Sequence, residues 1–382
     1  MLAINSRQGN RTMMKGLRKL LRRRRQERKK PGGFTLGFTL IELLVAIAMG
    51  GLIITPILGL VVSLLNSDRQ EQVKGRSEQE LQAALDYIAR DLQQAVFIYD
   101  ADGVAAIEDE LPFSTDANRT PVLVFWKREL LNWEREIDPD RDGPKSTEKV
   151  GCLEKIPNSS GSDICSEQDY FAFSLVAYYL IDEPGGTWSQ GMRIGRWEIH
   201  DGITTTNSVN PNILPDRAGA DNQDYLLYPD SGFQAFDLSA AGNNTAQKMN
   251  QWSRYPDEAY DTTNRNPLTV LVDFIDYNRY DTTSLPTPTC GANEATIPDF
   301  TKVADKFKTA SFYVCVPIAT PDGSDPPRKP IAEVNLRGNG LLRLNGIDRN
   351  NANFAKEVGY EEHRANFFPR SSIRVQGVGF VK

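Results

Sequence analysis

The sequence predicts an α+β protein: a long N-terminal helix, first membrane-spanning and then amphipathic, packed on a mainly antiparallel β-sheet with large loop insertions. Three observations predict it. Leu43 to Leu65 is a run of 23 residues without a formal charge. Beyond it, Leu81, Leu85, Ile88, Leu92, Ala95 and Tyr99 recur at steps of three and four, the spacing of an apolar helix face. From Pro121 onward the apolar residues fall in short β-rich runs, separated by connections rich in Asp, Asn, Pro and Gly.

Taken in order, the chain opens on a basic leader. Residues 1–37 carry 12 Lys/Arg against one acidic residue, Glu27, and the remainder carries 32 basic and 49 acidic residues. The net charge of −6 therefore hides a cationic leader on an acidic body. Arg22 to Arg25 has the composition of a nucleic-acid patch. Beside an apolar helix it reads more simply as the positive flank that keeps the N-terminus in the cytoplasm, so no nucleic-acid partner is expected. The expected placement is a single pass through the inner (plasma) membrane, with the globular part periplasmic or extracellular.

As a helix, 23 residues rise about 35 Å at roughly 1.5 Å each, enough for a hydrocarbon core of about 30 Å. No small-residue cleavage motif follows, so the helix, residues 38–65, is expected to stay with the protein. Gly50, Gly51, Pro56 and Gly59 are expected to weaken or kink it. Glu42 stands at its edge, where burying an ionised carboxylate costs several kcal/mol, in round terms, unless it is paired.

Residues 66–99 are expected to carry the helix into water. Ser77-Glu78-Gln79-Glu80 has the form of a capping box and would mark a fresh start after Gly75. The apolar stripe would dock on the sheet, with Asp86, Arg90, Asp91 and Gln93 on the opposite, solvated side.

Residues 100–382 form the β-rich domain. Strands are predicted at Pro121–Lys127, Tyr170–Ile181, Met192–His200, Leu268–Tyr277, Ala310–Ile318, Ile331–Leu336 and Ser372–Val381. The connections over 201–261 and 281–298 are long enough to be functional surface or flexible, and the first is the largest insertion.

Four cysteines, Cys152, Cys165, Cys290 and Cys315, are an even set in an exported domain and point to two disulfides. Three connectivities are open, with proximity favouring Cys152–Cys165 and Cys290–Cys315. A metal site on these thiols has only His200 and His363 to complete it, and a nucleophile–histidine dyad has equally little material, so no enzyme is expected. Nor is there a phosphate-cradling glycine loop. One candidate cation loop exists: Asp138, Asp140 and Asp142 alternate ahead of Gly143, as at the start of a calcium loop. Lys149 stands where the closing glutamate belongs, with Glu148 one residue early, so a plain acidic turn explains it as well. Trp188, Trp197, Trp252 and Tyr255 would stack a glycan if exposed together, or fill the core if they lie in strands.

The segment Gly33-Phe34-Thr35-Leu36-Gly37-Phe38-Thr39-Leu40-Ile41-Glu42, running into the apolar helix, resembles the type III signal of type IV prepilins and pseudopilins. That resemblance implies cleavage by an inner-membrane prepilin peptidase between Gly37 and Phe38 and N-methylation of Phe38. A cut after Gly33 would put Phe38 where the family has glutamate, whereas a cut after Gly37 puts Glu42 at the fifth mature position. The new Phe38 amine of one copy would then pair with Glu42 of a neighbour inside lipid. Asp68 to Gln72, Gln79 to Ala95 and Val122 to Glu129 are similar to the large pseudopilins of the cyanobacterial hormogonium polysaccharide secretion system. Ala332 to Asn339 is more distantly similar to J-type minor pseudopilins of type II secretion. The resemblance implies a pilin-like fold in a short filament that supports polysaccharide secretion and gliding motility, with other pilins, an assembly platform and a separate ATPase as partners. A minor pseudopilin for protein secretion or DNA uptake, and an adhesin-like pilin whose 201–261 insertion binds glycan or a surface, are the alternatives.

Overall fold

The computed structural model describes residues 39–131, 136–137, 146–149, 155–157, 163–165, 170–204, 225–227, 229–256, 258–318 and 329–379. The chain divides into two compact units, residues 1–66 and 67–382.

The helix α1, Leu40–Gln93, begins in the first unit and ends in the second. Thr39 starts it: its hydroxyl accepts from the Glu42 amide at 3.3 Å, and its carbonyl accepts from the Glu42 and Leu43 amides. Thr39-Leu40-Ile41-Glu42 is thus an N-terminal cap with an acidic residue in the first turn, where the helix dipole favours it. Residues 40–65 are helical throughout, including Gly50, Gly51, Pro56 and Gly59, and Thr55 Oγ1 donates to the Gly51 carbonyl at 2.8 Å. The apolar side chains from Leu40 to Leu65 are exposed within this unit, and the helix is long and apolar enough to cross a membrane.

In the second unit the helix does not restart at Ser77. Ser77 is buried inside α1, and Glu80 pairs with Arg76 at 2.9 Å and with Arg343 instead of closing a cap. The stripe Leu81, Leu85, Ile88 and Leu92 is buried as the spacing predicts. The helix ends at Gln93, short of the expected Tyr99, because the β-prone run Ala95-Val96-Phe97-Ile98 pairs as a strand, β1 (Ala95–Ile98). Gly377 approaches this end so closely that a Cβ there would lie 2.4 Å from the Ala95 carbonyl oxygen and 2.9 Å from that of Leu92.

After the short helix α2 (Ala101–Ile107), capped by the Asp100 carboxylate on the Gly103 amide, comes β2 (Arg119–Leu131). The ribbons β3 (Glu136–Ile137) with β4 (Ser146–Lys149), and β5 (Lys155–Pro157) with β6 (Asp163–Cys165), lie between β2 and β7 (Tyr170–Ile181) in the chain. Then follow β8 (Met192–His200), the ribbon β9 (Ile203–Thr204) with β10 (Tyr225–Leu227), α3 (Thr245–Met249) and β11 (Thr269–Ile275). The C-terminal part holds β12 (Glu294–Ile297), β13 (Phe312–Pro317), β14 (Ile331–Arg337) and β15 (Arg370–Gln376), with α4 (Leu341–Asn345) and α5 (Phe354–Val358) between the last two.

The long strands form two antiparallel sheets where the sequence predicts one. The first is ordered β1-β2-β7-β8-β11 and the second β12-β13-β14-β15. They meet where Ile275, ending β11, bridges Gly338, just past β14. Strand β12 falls inside the predicted 281–298 connection, which the disulfide Cys290–Cys315 ties to β13.

The predicted 201–261 insertion is only partly a surface feature. Phe233, Met249 and Trp252 from it are buried against the five-stranded sheet. Trp126 of β2 meets Phe233, Phe236 and Trp252 edge-on with ring centres 5.0–5.8 Å apart, and Trp197 of β8 meets Tyr260 at 5.0 Å. Phe233, Phe236, Trp252 and Tyr260 thus cover a sheet face that would otherwise expose two tryptophans.

Candidate functional site

Two places in the molecule concentrate chemistry. One is the start of α1. Glu42 is exposed there and is the only charged residue from Leu40 to Leu65. Gly37 and Phe38, the predicted cleavage and methylation positions, lie outside the described residues, as do Asp138, Asp140 and Asp142 of the predicted calcium loop and Cys152. Cys165 ends β6, and Cys290 with Cys315 forms a disulfide.

The aromatic residues do not assemble a stacking face. Trp197 and Trp252 are core side chains, for the reason just given, and Trp188 is exposed elsewhere with the Arg193 guanidinium 5.1 Å from its ring centre.

The second place was not singled out by the sequence reading. It is a charged cluster on one face of the five-stranded sheet. In β2, Lys127 and Glu129 alternate; in β8, Arg196, Glu198 and His200 do the same. Alternation puts each set on one face. Strand β7 lies between them, with Lys127 and His200 both in register with Ser174 and Arg196 in register with Tyr178. Asp91, near the end of α1, reaches down onto this face. It accepts from Tyr178 Oη at 2.7 Å and from Arg196 Nε at 2.6 Å, and Lys127 Nζ is 3.5 Å away. Expected on the solvated side of the helix, Asp91 is instead its polar contact with the sheet.

Beyond Asp91 the charges continue. Lys127 Nζ lies 2.6 Å from Glu198 Oε1 and 3.0 Å from Glu129 Oε2, and Arg196 Nη1 is 2.7 Å from Glu198 Oε2. His200 Nδ1 is 2.8 Å from Asp230 Oδ2. That oxygen also accepts from the His200 amide and from Asn266 Nδ2, both at 2.8 Å. The opposite ring nitrogen, Nε2, faces Glu129 Oε1 at 3.3 Å and Glu198 Oε2 at 3.6 Å. Ser174 Oγ donates to Glu129 Oε1 at 3.4 Å.

The cluster is sheltered: side-chain exposure is 5% at Lys127, 12% at Asp91 and Glu198, and 19% at His200. Burial alone would raise the Asp91 and Glu198 carboxyls. Arg196 and Lys127 outweigh it at both, helped by Tyr178 at Asp91 and His200 at Glu198, and hold them below their ordinary values. Burial likewise works against the charged forms of Lys127 and Arg196, and the surrounding carboxylates more than reverse it. At Asp230 the hydrogen bonds and charge of His200 overcome burial and lower the carboxyl. The shifts at Asp91, Glu198, Asp230, Lys127 and Arg196 all favour the ionised form.

The signal that would have located this cluster is the alternation itself. Lys127-x-Glu129 and Arg196-x-Glu198-x-His200 place charge at every second position of their strands, with Arg128, Trp197 and Ile199 at the positions between. In a two-faced strand that pattern marks a polar face.

Compared with known proteins, the chain matches no family model, no curated protein and no solved structure.

Proposed function

We propose that this protein is a membrane-inserted pseudopilin or minor pilin, a subunit of a type IV pilus-like secretion machine. The observation that carries the reading is a helix long and apolar enough to span a membrane, with Glu42, in its first turn, as the one charge of residues 40–65, and a charge-bearing end docked on a β-domain. An exposed apolar helix of this length calls for lipid or for other helices like it.

In this reading, removal of the basic leader between Gly37 and Phe38 by a prepilin peptidase frees an amine that pairs with Glu42 of the adjoining subunit. The apolar helices bundle, and the β-domain caps the assembly or recruits cargo. The resemblance over residues 33–130 favours exopolysaccharide as the cargo, with gliding motility as the output. The motor ATPase and the inner-membrane platform are separate proteins. Of the 201–261 insertion on which the adhesin alternative rests, Phe233, Met249 and Trp252 pack in the core, and residues 205–224 lie outside the described residues.

The test is a Glu42→Val variant expressed in the native host. Leader cleavage should proceed, and the protein should fail to enter the sheared or pelleted filament fraction while remaining in the membrane. Normal recovery of this variant in filaments would overturn the charge-pairing step.

A further inference from the structure

We propose that Glu129, Glu198 and His200 form a site for a divalent transition-metal cation of the Zn²⁺ type, with Asp230 orienting the imidazole. His200 is held between Asp230 on one side and Glu129 and Glu198 on the other. Asp230 is an acceptor, so the 2.8 Å contact at Nδ1 requires a hydrogen there. The opposite ring nitrogen, Nε2, points toward Glu129 Oε1 and Glu198 Oε2. These three atoms converge on one place that a second proton on the ring or a cation can fill, beside the Arg196 guanidinium at 2.7 Å from Glu198 Oε2.

Distance favours the cation. A charge-assisted N–H···O contact closes to about 2.7–2.9 Å, whereas Nε2 stands 3.3 and 3.6 Å from the two oxygens. A tetrahedral ion with bonds of about 2.1 Å holds its donor atoms about 3.4 Å apart. The three donor atoms lie within 4.8 Å of one another.

Charge points the same way. The carboxylates of Asp91, Glu129, Glu198 and Asp230 gather around Lys127, Arg196 and His200. A divalent ion adds positive charge to this set of carboxylates in a setting too sheltered for water to screen it cheaply.

The donor set of one imidazole and two carboxylates suits zinc or a neighbouring first-row ion better than calcium, which prefers oxygen alone. A hydrogen bond from the imidazole to a carboxylate, here Asp230, is the usual outer support of such a site. The ion would join β2 to β8 across β7, beside the end of α1. The site does not depend on the pilin reading.

The experiment uses the full chain in detergent, stripped with chelator and titrated with ZnCl2 by calorimetry, with the melting temperature followed in parallel. One equivalent should bind, and the melting temperature should rise with Zn²⁺ concentration. Glu129→Gln and His200→Gln should abolish that equivalent, and Asp230→Asn should weaken it by about 10–100-fold. His363→Gln should leave it unchanged, since that residue is 72% exposed and far from this cluster in the chain. Histidine-labelled NMR of the His363→Gln protein gives a readout that needs no disruptive variant: the His200 Nε2 resonance should shift on adding Zn²⁺. No binding to the unaltered chain, binding that survives His200→Gln, or an unmoved Nε2 resonance would each overturn the proposal, leaving a doubly protonated His200 to fill the site.

Discussion

Arg337 Nε donates to Asp276 Oδ2 at 2.8 Å, and neither side chain reaches solvent. Asp276 lies one residue past β11 and Arg337 ends β14, so this ion pair joins the two sheets. The backbone reinforces it: the Asp276 amide donates to the Arg337 carbonyl at 3.1 Å, and the Asn339 amide to Phe274 at 2.8 Å. The other carboxylate oxygen of Asp276 is held by Asn278 and Asn339, and the guanidinium also reaches the carbonyls of Asn278 and Thr309.

Removing one partner strands the other charge in the interior. Arg337→Met should destabilise the β-domain by about 3–5 kcal/mol, and Asp276→Asn by less, because an amide can still accept from the guanidinium. Chemical denaturation of the two variants beside the unaltered chain checks the order. Equal small losses would mean the pair is not what holds the sheets together.

Acid should loosen the contact between α1 and the sheet. Burial would raise the Asp91 carboxyl, but Arg196, Lys127 and Tyr178 hold it below its ordinary value. A depressed carboxyl contributes stability that is present above the unfolded value near 4 and is lost as pH falls through the lower folded value. Urea midpoints should therefore stay level in mild acid and drop below about pH 4. Asp91→Asn should be less stable at neutral pH and show a flatter drop.

The alkaline limb has a different source. Burial raises the phenols of Tyr99, Tyr178, Tyr179 and Tyr260, and the neighbouring charges add to this at Tyr178 and Tyr179. The native state keeps these protons where the unfolded chain releases them, so stability falls as pH rises past about 10. A tyrosinate absorbance titration should show these phenols ionising only with unfolding.

Trp252 tests the role of the connection over residues 229–261. Its ring is 5% exposed against Trp126, and its Nε1 donates to the Gln234 carbonyl at 2.7 Å. Trp252→Ala should cost about 3–5 kcal/mol, the scale of a core aromatic. A surface-binding insertion would give a loss below about 0.5 kcal/mol.

The Cys290–Cys315 bridge closes a segment of sequence separation 25, for which loop-closure entropy predicts about 3.5 kcal/mol. A double Cys→Ser variant should lower the denaturation midpoint accordingly, and a reducing agent should do the same to the unaltered chain.

Much of this architecture can be read from residues alone. Tyr170–Ile181 and Met192–His200 match their strands end to end, because uninterrupted β-prone runs stop at turn residues. The end of α1 could not be placed, since Ala95 and Tyr99 continue the helical apolar phase although they belong to and follow a strand. The split into two sheets was hidden because it depends on Asp276 meeting Arg337, residues 61 apart. Asp91 was assigned to solvent for a related reason. A helical wheel separates polar from apolar, and cannot tell that the facing sheet carries Arg196 and Lys127.

The claim at the centre of the account is that the chain is processed as a prepilin, and N-terminal mass analysis of the protein from its native membrane tests it most directly. The account predicts a chain beginning at N-methyl-Phe38, and retention of the full leader in a Gly37→Asp variant. A native chain that keeps Met1 to Gly37 would contradict it, and would leave the helix as a plain membrane anchor.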